Sequence, residues 1–106
     1  MQRLTDESSV DRLADAATAV LLKHGATCPI SAHARQEVAS FASSHPDLPT
    51  YGLEVTENSS LSAYVAQKLG VRHESPQALV LREGKVVWHA SHYDITADRL
   101  EDATAG

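Results

Sequence analysis

The stretch Ala19-Val20-Leu21-Leu22-Lys23-His24-Gly25-Ala26-Thr27-Cys28-Pro29-Ile30-Ser31 decides both the fold and the chemistry. Its first four residues are apolar without alternation. That is the pattern of a strand buried on both faces, as at the centre of a mostly parallel sheet. The run breaks at Lys23-His24-Gly25, where glycine permits a sharp turn. Pro29 then suits the first position of a helix, where a missing N–H is no loss. Ile30, Ala34, Val38 and Phe41 follow on one stripe, so the spacing predicts a helix from Pro29 to about Ser44, stopped near His45-Pro46. Cys28 therefore falls between a buried strand and the first turn of a helix.

Upstream, Ser8 and Asp11 form a possible capping box, with Val10, Leu13, Ala14 and Ala17 at helical spacing, which predicts a helix over 8–18. Residues 1–7 and 104–106 are expected to fray. Downstream, Tyr51–Thr56 reads as a strand. Asn58-Ser59-Ser60 then offers caps for a helix carrying Leu61, Tyr64, Val65 and Leu69 on one face, with Gly70 just past its end. Ala78–Arg82, the turn Glu83-Gly84 and Lys85–Ala90 predict an antiparallel hairpin in which Val86, Trp88 and Ala90 alternate as core. Thr96 caps a last helix, with Ile95 and Leu100 placed as a hydrophobic staple. The expected architecture is one α/β domain. Its four-stranded mixed sheet has two parallel strands joined by a right-handed crossover plus a C-terminal antiparallel hairpin, with helices on both faces.

Composition bounds the function. At 106 residues there is room for a single core. The net charge of −5 argues against nucleic acid as a partner, since phosphate contacts need a basic surface. The excess acid lies at the two ends, so the middle is neutral and carries the chemistry. The longest nearly apolar run, Ala16–Leu22, is too short to cross a bilayer, and no basic segment followed by an apolar stretch opens the chain. A single cysteine excludes an internal disulfide and points to a reducing, cytoplasmic setting.

At a helix start, free N–H groups and the positive dipole end stabilise an anion, so the Cys28 thiol is expected to ionise readily. The plainer alternative is a buried structural cysteine. Ser31 occupies the position where dithiol oxidoreductases carry a second cysteine, so any disulfide chemistry here is monothiol. Alternatively, Ser31 is only a first-turn residue. Ser75-Pro76 precedes the Ala78–Arg82 strand, where a trans proline is the ordinary expectation. His73, His89 and His92 lie close in the topology but lack metal-ligand spacing, so no metal site is expected. Strand order gathers Glu57-Asn58, Ser75-Pro76 and Ser91-His92-Tyr93 around Cys28.

Three segments, Lys23 to Ser31, Val71-Arg72-His73-Glu74-Ser75-Pro76-Gln77 and Trp88 to Thr96, resemble the monothiol bacilliredoxin family with its Thr-Cys-Pro-Ile motif. The resemblance runs from about residue 8 to 103 and implies a thioredoxin-like fold. It implies that Cys28 is the nucleophile that removes bacillithiol from protein mixed disulfides, and that Pro76 is a cis proline. Thr27, Pro29, Ser31, Ser75, Pro76 and His92 are then the substrate-binding residues, with the Ser75 backbone pairing with the partner; strand order places His92 to meet the carboxylates of bacillithiol, the plainer alternative being an ordinary surface residue. No bound cofactor is implied. Bacillithiol is the co-substrate, and the partners are bacillithiolated clients and a separate reductase, with neither nucleic acid nor membrane. Two rivals remain at this point. One is a monothiol glutaredoxin-like iron–sulfur carrier, although such proteins have Gly-Phe where this chain has Pro29-Ile30. The other is a non-catalytic redox-sensing stress protein.

Overall fold

A computed structural model describes residues 1–105. Along the chain, β1 (Gln2–Arg3) is followed by α1 (Glu7–Asp15), β2 (Thr18–His24), α2 (Pro29–Ser44), β3 (Thr50–Glu54) and α3 (Ser59–Leu69). The chain closes with β4 (Gln77–Arg82), β5 (Lys85–Ser91) and α4 (Ala97–Thr104). The sheet has five strands in the order β1-β3-β2-β4-β5. β3 pairs parallel with both β1 and β2, whereas β4 runs antiparallel to β2 and β5.

The unbroken apolar run of β2 is explained by its central place, because Ala19, Val20, Leu21 and Leu22 are all fully buried. Ala19 and Leu21 face α1 and α3, packing with Val10, Leu13, Leu61 and Val65. Val20 and Leu22 face α2 and α4, packing with Val38, Phe41, Ile95 and Leu100. Burying one such large side chain contributes about 1.5–3 kcal/mol, so two filled faces give this short chain a sufficient core. Ile95 and Leu100 share one cluster around the Thr96 cap, whose hydroxyl accepts from the Arg99 N–H at 3.2 Å.

The structure differs from the sequence expectation at several points. The sheet has five strands, not four. The first residues are not frayed: Gln2–Arg3 pair with Tyr51 and Gly52, and Leu4 is buried. Thr104 is the last residue of α4, and Gly106 lies outside the described residues. α1 starts one residue before Ser8, because Asp6 is its cap and Ser9 completes the box. Asp6 Oδ1 accepts the Ser9 N–H at 2.8 Å. Asp11 is instead free to pair across the face with Lys68 of α3. In β5 the register shifts between Val80 and Leu81 of its partner, leaving Val87 exposed. This bulge sends Val86 to the α1/α3 face while Trp88 and Ala90 pack on the α2/α4 face, which simple alternation cannot foresee.

β2 also continues through Lys23 and His24, opposite Leu53 and Glu54. Lys23 is only 1% exposed. Its ammonium donates to Gln77 Oε1 at 3.1 Å, and Gln77 Nε2 donates to the Arg72 carbonyl at 3.0 Å. Burial pushes Lys23 down to about 8, against the opposing pull of Glu74. The parallel strands β1, β3 and β2 thus end together at one edge of the sheet, where β4 begins and β5 finishes.

Candidate active site

Gly25-Ala26-Thr27 joins β2 to α2, and three side chains fix it. Ser31 Oγ accepts the Gly25 N–H at 3.0 Å. Arg35 Nη1 donates to the Gly25 carbonyl at 2.7 Å. Glu54 Oε1 accepts the Ala26 N–H at 3.0 Å. The same carboxylate also accepts from the Thr56 N–H and hydroxyl and from the Glu57 N–H. Although burial works against it, these donors hold the Glu54 carboxyl below its usual range.

Cys28 is the N-cap residue of α2, with Pro29 in the first turn. Its sulfur makes no capping bond, and the residue is partly exposed. The Ser31 and Ile30 backbone N–H groups, left free by the helix start, point to the sulfur and lower the thiol's pKa. Burial opposes them, while the Ser31 hydroxyl and the Arg35 charge add to the lowering. The group is therefore an accessible cysteine held toward its thiolate form.

The Ser75-Pro76 bond is cis. Pro76 is buried, Ser75 partly exposed, and the Pro76 carbonyl accepts the His92 N–H at 3.1 Å. That bond brings the end of β5 beside the entrance to β4. His92 lies in a single helical turn (His92–Asp94) with φ +56. Tyr93 beside it is 63% exposed, and its ring lies 5.4 Å from that of His33 on α2. Thr27 and Pro29 are exposed next to the sulfur. Ser31 differs from expectation: it is fully buried and cannot touch a docked substrate. Its hydroxyl is bound into the loop and toward the sulfur, so it acts on Cys28 and not on the partner.

Sequence reading missed Arg35, Glu54 and His24. Arg35 had a signal: seven residues after Cys28, it lies on the same side of α2 two turns along. Glu54 had none, because its partner Ala26 is 28 positions away. His24 lies between cations. Burial and then Arg35 push its pKa down, Glu54 opposes, and Arg3 adds to the lowering. Among the described residues, no group of three or more His, Cys, Asp or Glu side chains is placed to hold a metal ion, and no helix is long and apolar enough to cross a membrane.

Comparison with known proteins bears on this geometry. Residues 2–100 match the family model described as monothiol bacilliredoxin BrxC. A solved structure described as a provisional oxidoreductase with a thioredoxin fold is 34% identical, with a TM-score of 0.92 over 98% of this chain and 93% of that one. Fasciola hepatica thioredoxin is 16% identical with a TM-score of 0.75, covering 96% of this chain and 94% of its own. Oxidised mitochondrial thioredoxin 3 from Saccharomyces cerevisiae is 13% identical with a TM-score of 0.76, covering 96% and 91%. At those identities the two thioredoxins show the fold alone.

Proposed function

Because this chain belongs to the monothiol bacilliredoxin family, we propose that it removes bacillithiol from protein mixed disulfides through Cys28. The observation that carries this reading is the lone partly exposed thiol at the start of α2, held toward the thiolate by two backbone N–H groups. The Cys28 thiolate attacks the bacillithiol sulfur of the mixed disulfide. The bond between bacillithiol and client breaks, and the client leaves as a thiolate that takes a proton from water. Cys28 is then joined to bacillithiol. With no second cysteine in the chain, an external thiol must attack that adduct. A second bacillithiol does so, forming bacillithiol disulfide and restoring the Cys28 thiolate, and a separate reductase returns the disulfide to two thiols.

Exchange needs three sulfurs nearly in line, so the client must lie alongside Cys28. The exposed edge at Ser75 supports this, since a backbone N–H and C=O there suit an extended segment of the client. The test is mass spectrometry with a bacillithiolated client. Wild-type protein should gain one bacillithiol on Cys28 as the client is released, and Cys28→Ser should do neither. Release of client without any adduct on Cys28 would overturn the reading.

A further inference from the structure

On the side of Cys28 away from Pro76 there is a cavity of about 280 Å³, whose lining includes Arg3, His24, Arg35, Gly52 and Glu54. We propose that this cavity seats the carboxylate-bearing part of the small thiol, gripped by Arg35 and Arg3. The inference rests on the exchange reaction proposed above and assigns one part of its substrate to this flank.

Position supports it first. The cavity is lined by Arg3, His24 and Glu54, the last residues of the parallel strands β1, β2 and β3, and α/β sheets hold their ligands at that edge. Charge supports it second. Burial first, then the Arg35 charge and, least, that of Arg3 keep the His24 imidazole toward its neutral form against the pull of Glu54, so both guanidinium groups face one ring. The one carboxylate in the lining, Glu54, is already taken up by Ala26, Thr56 and Glu57. Arg35 engages only Nη1, on the Gly25 carbonyl and near His24 Nδ1, so its Nε and Nη2 have no partner among the described residues. Arg3 has only a long contact with Glu57, at 3.9 Å between exposed side chains. A guanidinium fork with unspent donors is suited to a carboxylate.

Gly52 is the third observation. A Cβ there would lie 3.0 Å from Met1 Sδ and 3.5 Å from His24 Nε2. Glycine within a strand weakens it and often marks close approach of a ligand. Here the missing side chain lets Met1 and the His24 ring pack over the strand as walls of the cavity, and a larger residue would push them into it. The cavity is also tied to the reacting sulfur. Arg35 bonds the Gly25 carbonyl and its charge reaches Cys28, and a Cβ on Gly25 would lie 3.8 Å from Cys28 Cβ. The client and the small thiol thus take opposite flanks. His92, which sequence reading matched to the carboxylates, is on the client flank beside Pro76.

The test compares the rates at which Cys28 is modified by two disulfides of similar size, read by mass spectrometry. Dithiodipropionate carries a carboxylate on each arm, and hydroxyethyl disulfide is neutral. Arg3→Gln, Arg35→Gln and Gly52→Val should each lower the carboxylate-to-neutral rate ratio at least threefold. Arg99→Gln, which removes the same charge from α4, should leave it unchanged. A ratio in Arg3→Gln and Gly52→Val equal to that of wild type overturns the proposal. So does an equal loss in Arg99→Gln, which would reduce the effect to net charge. If Gly52→Val does not fold, Arg3→Gln decides alone. The two proposals fail separately. If wild-type protein ignores bacillithiolated clients while the variants show the ratio loss, only the exchange reading is overturned. If wild-type protein frees clients and the variants keep its ratio, only the cavity proposal is overturned.

Discussion

The neighbours that hold Cys28 toward its thiolate form can be removed by single substitutions. Ser31→Ala deletes a hydroxyl that acts on the sulfur and leaves the Gly25 N–H without its acceptor. The thiol midpoint, followed by thiolate absorbance against pH with Cys28→Ser as blank, should move up toward the free-cysteine value of ~8.5. An unmoved midpoint would mean that the backbone N–H groups suffice. Lys23 makes the complementary case, a charge held where it is costly. Its folded value of about 8 lies below the ~10.4 of an unfolded lysine. Between those values the unfolded chain binds more protons, so stability rises with pH over that window and the penalty is complete below about 8. Lys23→Met should remove that rise, worth on the order of 2 kcal/mol, when urea unfolding at pH 7 and pH 9.5 is compared with wild type. Parallel behaviour of the two proteins would place the ammonium in water. The residue scale was half legible in sequence. Cys28 announced itself by standing before Pro29, but Lys23 read as the end of a strand, because its partner Gln77 is 54 positions away.

Elements were legible where one local signal sufficed. Pro29 and the stripe of Ile30, Ala34, Val38 and Phe41 fixed α2, and the unbroken run in β2 fixed the sheet's centre. β1 was not legible, since two residues carry no periodicity and gain a strand only by pairing with β3. Its importance is carried by Leu4, whose N–H donates to the Gly52 carbonyl at 2.8 Å and whose side chain is buried between the sheet and α1. Leu4→Ala should cost about 2–3 kcal/mol in urea unfolding, as a buried leucine truncation does. A loss below ~0.5 kcal/mol would return the N-terminal segment to the frayed state that its polar sequence implies. The bulge in β5 escaped for a related reason: it is a property of the pair of strands, and neither strand's sequence marks it alone.

At the scale of the molecule, the two ends of the sheet have different duties. One end gathers Cys28, Ser75-Pro76 and the Arg35 flank. The other closes on the Glu83-Gly84 turn, which is clasped against the junction of α1 and β2. The Glu83 N–H donates to the Ala17 carbonyl at 2.9 Å, and a Cβ on Gly84 would lie 2.8 Å from the Ala14 carbonyl oxygen. With φ at +81 as well, Gly84→Ala should lower stability by about 1–3 kcal/mol. Thermal unfolding should register that loss while the Cys28 titration stays at its wild-type midpoint. A shifted midpoint would show that the ends are coupled. Helices on both faces were legible from element order, whereas this division of labour needed the register. The buried hydroxyl at position 31 has one further consequence, in kinetic order. Under the proposed exchange, a Cys28 carrying the small thiol has no second thiol within reach and waits for a collision from outside, so the adduct's half-life should vary inversely with the concentration of free thiol. A chain with its own resolving cysteine discharges in first order and is indifferent to its surroundings. In this one, the same proposed exchange would make the fraction of molecules carrying an adduct a gauge of how far the surrounding thiol pool has been depleted.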